Sequence, residues 1–145
     1  MSRYGSQVSV ARSAADTFAA VNDIARWGEW TEMEEVTRDQ PGPIAVGSTG
    51  TFRLPGPFQG PIRFEATAFE PDRRVAYRMS HPSFEWHAEM RVEPESAGSR
   101  LSSTGDFTMR GWRRILQPVV AREVGRGEAE ELKRLKAILE DGRAS

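Results

Sequence analysis

Polar and apolar residues alternate in Gln7-Val8-Ser9-Val10-Ala11, which predicts a short first strand. Ser13 then precedes Asp16 by three residues, a capping-box spacing in which a hydroxyl and a carboxylate satisfy the orphan amides of a helix start. The helix runs to about Val21 and ends at Asn22-Asp23, where Asp23 is placed to cap a second short helix from Ile24 to about Trp30. From there the period is two. Strands are predicted around Met33–Arg38, at Gly47–Leu54, Ile62–Phe69, Arg74–Ser80, Phe84–Val92 and Arg100–Met109, separated by short turns such as Glu70-Pro71-Asp72 and His81-Pro82. Gaps this short suit an antiparallel meander, because parallel crossovers need a dozen residues or more.

The last third changes to a helical period. Ile115, Leu116, Val119, Val120, Val124, Leu132, Leu135, Ile138 and Leu139 recur with Glu and Lys between them, predicting a long amphipathic helix over 112–141. A break or kink is expected near Pro118, with weakening at Gly125 and Gly127, each costing about 1 kcal/mol relative to alanine. No repeat, low-complexity segment or dividing linker is visible, so the 145 residues are read as one domain spanning 1–145.

Composition narrows the function by exclusion. Lys and Arg number 20 against 21 Asp and Glu, a net charge of −1 that gives no reason to expect nucleic acid. Absence of cysteine removes disulfides, thiol nucleophiles and thiolate-bound zinc. His81 and His87 are the two histidines, too few for a convincing metal set, and no cofactor or metal is expected. No apolar run approaches the ~18 residues needed to cross a bilayer, and the first residues lack a secretory signal. The expectation is a cytoplasmic protein, monomer or homodimer, without stable membrane insertion.

Four stretches resemble a known family. They are VSVARSAADTFAAVNDIARWGEW at 8–30, VGSTGTFRL at 46–54, FEATAFEPDRRVAY at 64–77 and EELKRLKAILE at 130–140. Together they are similar to the SRPBCC superfamily of START-related helix-grip proteins, and within it to the polyketide cyclase/dehydrase and lipid-transport-like group. The resemblance covers Val8 to about Glu140 and consists of packing and turn signatures with no catalytic motif. It implies an α+β helix-grip fold: a seven-stranded curved antiparallel sheet around a long C-terminal helix, two short helices after strand 1, and an apolar cavity between sheet and helix. Family members bind sterols, lipids, polyketides or similar small molecules, and some catalyse cyclisation or dehydration.

Period-two counting identifies the face turned to that cavity. Ile62, Phe64, Ala66 and Ala68 share one side, as do Phe84, Trp86, Ala88, Met90 and Val92, and Leu101, Ser103, Gly105, Phe107 and Met109. The opposite face is a ladder of charges suited to water and cross-strand pairing. Small residues at 66, 88, 103 and 105, facing Ala121, Gly125 and Gly127, leave two readings open. Either they bound a void, or bulky Phe64, Trp86 and Phe107 fill the space opposite. The inward strand positions hold no Asp, Glu, Lys or His, which favours binding over acid–base catalysis.

The residues expected to line a ligand site are Trp27, Trp30, Phe52, Leu54, Phe64, Tyr77, Trp86, Met90, Phe107, Val120 and Val124. Tyr77, Ser103 and His81 are the candidates for a catalytic role. Trp27 and Trp30 read either as a gate or as core anchors with bonded indoles. His81 reads as a ligand contact at the entrance or as a solvated loop residue, and His87 as a surface residue on the charged face. The 54–61 segment, with Phe58 at its tip, is either a lid or a long turn, and the 41–47 loop is placed to flank the same opening. Arg110, Arg113, Arg114, Arg122 and Arg126 make the start of the last helix basic, as a solvated face or as a site for an anionic headgroup or membrane surface. Three functions follow: binding of a lipid, polyketide, aromatic or isoprenoid compound; a cyclase, aromatase or dehydratase; and a protein-interaction module resembling relatives that stimulate a chaperone ATPase.

Overall fold

The computed structural model describes residues 2–56 and 59–141. Strand β1 covers Ser2–Val10 and helix α1 Ala14–Val21, followed by a 3₁₀ turn at Ile24–Glu29. Strands β2 (Glu34–Arg38), β3 (Thr49–Arg53), β4 (Ile62–Glu70), β5 (Arg74–His81), β6 (Phe84–Glu95) and β7 (Gly98–Met109) come next. A second 3₁₀ turn at Gly111–Leu116 leads into helix α2, Gln117–Glu140. All seven strands form one antiparallel sheet in the order β1-β7-β6-β5-β4-β3-β2. The curved sheet and long terminal helix make the expected α+β helix-grip fold.

Several local expectations need correction. β1 begins at Ser2 rather than Gln7, because Ser2–Ser6 pair with Ser103–Phe107 of β7 despite their polar sequence. Ser13 accepts the amide of Asp16 at 3.1 Å, but the Asp16 carboxylate turns to Arg12 at 3.0 Å, so only half of the capping box forms. Asp23 stands at the N-cap of the 3₁₀ turn without a side-chain cap bond. In β4 a register shift between Ala66 and Ala68 inserts one residue. Beyond it Phe69 turns inward onto Phe18, 5.5 Å between ring centres, and Ala68 leaves the inward face where the alternation placed it.

The largest correction lies at the start of α2. Pro118 occupies the first turn, where its missing N–H costs nothing, so it starts the helix instead of kinking it. The preceding 3₁₀ turn changes the helical phase, and the buried stripe becomes Gln117, Ala121, Glu128, Leu132, Leu135 and Leu139. Ile115, Leu116 and Val119, expected in the core, are exposed. The C-terminal half of α2 is clamped against the opposite edge of the molecule. Lys136 Nζ donates to the Ser9 carbonyl at 2.6 Å, Glu140 accepts the Ala11 amide at 2.9 Å, and Arg134 donates to the Trp30 carbonyl at 3.1 Å. The N-terminal half buries only Gln117, Ala121 and Glu128, with no large aliphatic side chain among them, and space opens beneath it. No helix is long and apolar enough to cross a membrane among the described residues.

Candidate functional site: a cavity between α2 and the sheet

The inward face of the sheet carries the aromatic side chains that period-two counting placed there. Phe84 stacks on Phe107 at 5.1 Å, Trp86 meets Phe107 edge-on at 6.2 Å, and Trp27 meets Tyr77 edge-on at 5.3 Å. Between these rings and α2 lie two adjoining spaces that share Trp86, Glu128 and Glu131 as walls. The outer one is about 240 Å³ and is walled by Leu54, Pro55, Phe84, Trp86, Phe107, Val120, Val124 and Gly127, with Glu32, Glu123, Glu128 and Glu131 as its polar groups. The inner one is about 40 Å³, lined by Val21, Trp27, Trp30, Thr31, Met33, Tyr77, Met79, Ala88 and Met90 besides the shared residues. The outer volume falls just short of the ~300–1,000 Å³ of ordinary ligand pockets.

Of the eleven expected lining residues, Leu54, Trp86, Phe107, Val120 and Val124 face the outer space, and Trp27, Trp30, Tyr77 and Met90 the inner. Phe52 and Phe64 are fully buried and line neither; Phe64 backs Trp27 with ring centres 5.2 Å apart. Both tryptophans at 27 and 30 are buried, and Trp27 Nε1 donates to the Val21 carbonyl at 2.8 Å, which is the anchoring role. The proposed lid falls partly on Pro57 and Phe58, outside the described residues; Leu54 and Pro55 of that segment do reach the mouth. Residues 41–47 supply none of the lining described here, and Ile44 is instead buried in the core.

The three candidate polar groups separate. The Tyr77 hydroxyl donates to Asn22 Oδ1 at 3.0 Å, and burial pushes its pKa up, so it stays protonated. His81 is neither solvated nor at the cavity rim. It is buried and stacked on Phe84 at 5.1 Å, with Nδ1 accepting the Ser83 amide and Nε2–H donating to the Gln59 carbonyl at 2.8 Å. Its role is to pin the chain returning at residue 59 to the β5–β6 hairpin. Ser103 is buried and donates to Glu128 Oε2 at 3.3 Å. His87 is exposed on the outward face, as expected.

Glu128 is the residue that strand counting missed. Strand positions indeed supply no inward carboxylate, but α2 delivers two, Glu128 and Glu131, one turn apart. Tyr4 completes the arrangement: its hydroxyl accepts Trp86 Nε1–H at 2.6 Å and hydrogen-bonds the Glu128 carboxyl. The Tyr4 ring also occupies the place a side chain at Gly105 would take, so part of the expected small-residue void is filled. Burial pushes the Glu128 carboxyl up to about 7, against the opposing bonds from Ser103 and Tyr4. Glu131 rises to about 8 through burial and then the charge of Glu128. A signal for Glu128 exists in the sequence, since it lies four residues after Val124 and four before Leu132, on the apolar stripe itself. Tyr4 had none, because Ser2–Ser6 shows no apolar alternation.

Two other depressions lie away from this gap. One, about 500 Å³, runs over the outward charge ladder between Arg3, Thr67, His87, Glu89 and Asp106, whose charges are paired as in Arg3–Asp106 at 3.1 Å. The other, about 200 Å³, lies between α1 and the end of α2. Among the described residues, no three His, Cys, Asp or Glu side chains are arranged to hold a metal ion.

Comparison with known proteins agrees with this architecture. The sequence profile of the family described as polyketide cyclase / dehydrase and lipid transport matches residues 1–140. No curated protein matches the chain. Among solved structures, a hypothetical protein from Helicobacter pylori superposes with a TM-score of 0.79 at 15% identity, over 95% of this chain and 88% of that one. The di-domain ARO/CYC StfQ of the steffimycin biosynthetic pathway gives 0.78 at 12% identity, over 99% of this chain and 52% of that one. The Aha1 dimer from Colwellia psychrerythraea gives 0.71 at 19% identity, over 99% of both chains. Such identities speak for the fold alone. With helix, sheet and profile in agreement over nearly its whole length, the chain belongs to the polyketide cyclase / dehydrase and lipid transport family of the SRPBCC superfamily.

Proposed function

We propose that the protein binds a compact, mainly apolar small molecule in the outer space beneath α2. The observation that carries this reading is the 240 Å³ gap itself, apolar on its walls and furnished with carboxyl groups on one side. Leu54, Trp86, Phe107, Val120 and Val124 are the proposed contacts, with apolar burial supplying most of the affinity at ~25 cal/mol per Å² before the costs of association. Glu128 and Glu131, with Tyr4 and Ser103 behind Glu128, orient the guest's polar end. The volume favours a smaller guest than a full-length polyketide or sterol. Native mass spectrometry of protein purified from its own host identifies the guest, and titration with an aromatic probe, read by tryptophan fluorescence, measures affinity. Val124→Trp, which fills the gap, should abolish saturable quenching while the circular dichroism spectrum is kept. An unchanged titration in this variant rejects the site.

A catalytic reading has its own support in the Glu128–Tyr4–Ser103 cluster, because a buried carboxyl titrating near neutrality can give and take a proton. StfQ is described as an ARO/CYC protein, which makes cyclase or aromatase chemistry the natural test. Under this reading Glu128→Gln loses turnover and retains binding of the same compound. Retained turnover removes Glu128 as the acid–base group.

A further inference from the structure

We propose that the turn Gly111–Leu116 and the first turns of α2 form a docking surface for anionic lipid headgroups. Gly111 opens the 3₁₀ turn with φ 65°, a left-handed conformation, and the turn buries no side chain. Trp112 is 72% exposed, Ile115 80%, Leu116 45% and Val119 66%, and these are four of the five large apolar side chains left in water among the described residues. Clustering within eight positions makes them a patch rather than scattered exceptions.

The surrounding charge chooses the partner. Residues 110–126 contain five arginines and one glutamate, in a chain whose net charge is −1. Arg110 pairs with Glu85 at 3.3 Å and Arg126 with Glu123 at 3.2 Å, whereas Arg114 and Arg122 make no ion pair among the described residues. Arg113 lies against the Trp112 ring, 5.5 Å from its centre. A protruding apolar ridge fringed by arginine matches a bilayer interface, where the rings and aliphatic groups enter the acyl boundary and the guanidinium groups meet phosphates. A second copy of the chain fits poorly, because a twofold contact would set these arginines against themselves. Val119 immediately precedes Val120, which lines the cavity mouth, and Leu116 lies four residues before it, so docking here brings that mouth to the lipid surface. The docking itself does not depend on what the cavity holds.

Co-sedimentation with phosphatidylcholine vesicles, with and without phosphatidylglycerol, tests this on the whole protein. Binding should require phosphatidylglycerol and weaken with added salt. Arg114→Gln with Arg122→Gln should lower the association constant about fivefold per arginine. Trp112→Ser with Ile115→Ser should lower it at least about tenfold, the melting temperature staying unchanged because both side chains are exposed. Three results overturn the proposal: no phosphatidylglycerol-dependent sedimentation of the native protein, binding that survives both double variants, or light scattering that shows the serine variant splitting a dimer held by this patch.

Discussion

Glu128 occupies a position that helical periodicity reserves for an aliphatic side chain, and its neighbours show how a carboxyl survives there. Ser103 and Tyr4 hydrogen-bond it, and Trp86 bonds Tyr4 in turn, so the polar atoms form a chain within an aromatic wall. Burial raises the pKa of Glu128 and Glu131 above the ~4.3 of an unfolded glutamate. The folded state therefore holds protons that the unfolded state has released, and their contribution to stability is complete below the unfolded value and declines as pH rises through the folded ones. The carboxylates with lowered pKa, including Asp39, Glu89 and Glu140, weaken the fold only on the acid side and do not oppose this trend. Thermal melting should fall between about pH 5 and about pH 8, and Glu128→Gln should flatten that slope; parallel curves would show that the buried pair does not set it. Tyr4→Phe strands the Trp86 indole and one bond to Glu128, and should cost about 1–3 kcal/mol in urea denaturation.

Helix α2 has two glycines in its first half with different surroundings. A methyl group at Gly127 meets nothing within 4 Å, whereas one at Gly125 would lie 3.1 Å from Tyr4 Cβ. Gly127→Ala should therefore raise stability by about 0.5–1 kcal/mol, the ordinary helix gain. At Gly125 the same change should gain less or reverse sign, because β1 would have to yield; equal gains at both sites would disprove the close approach of α2 to Tyr4. The sequence expectation of weakness at both glycines considered the helix alone. Pro118 carries the same lesson, since a kink signal in an isolated helix becomes a start signal once the preceding turn is 3₁₀. The alternating cores of β5, β6 and β7 were legible because alternation is local. The ends of β6 and β7, which reach Glu95 and Gly98 instead of Val92 and Arg100, were not, nor was the inserted residue in β4, since a ladder's end and a bulge are both defined by the partner strand.

Over the whole molecule, the clamped C-terminal half of α2 and its raised N-terminal half produce an asymmetric grip, tight against β1 and open toward Leu54 and Val124. Leu132→Ala, at a fully buried position in the tight half, should cost about 2–5 kcal/mol and lower the melting temperature. Val124→Ala, at the open half, should cost less and enlarge the gap; comparable losses from the two would show that the grip is uniform. The element order and the aromatic inward face follow from hydrophobic periods of two and 3.6, which decide the side of each element that leaves water, and the helix-grip arrangement was legible through the family resemblance. Tertiary structure alone decided how much of the gap stays empty, where Tyr4 sits and which way Ile115 and Val119 face. Those outcomes depend on residues distant along the chain meeting within a side chain's width, and on a change of helical phase that no single segment announces.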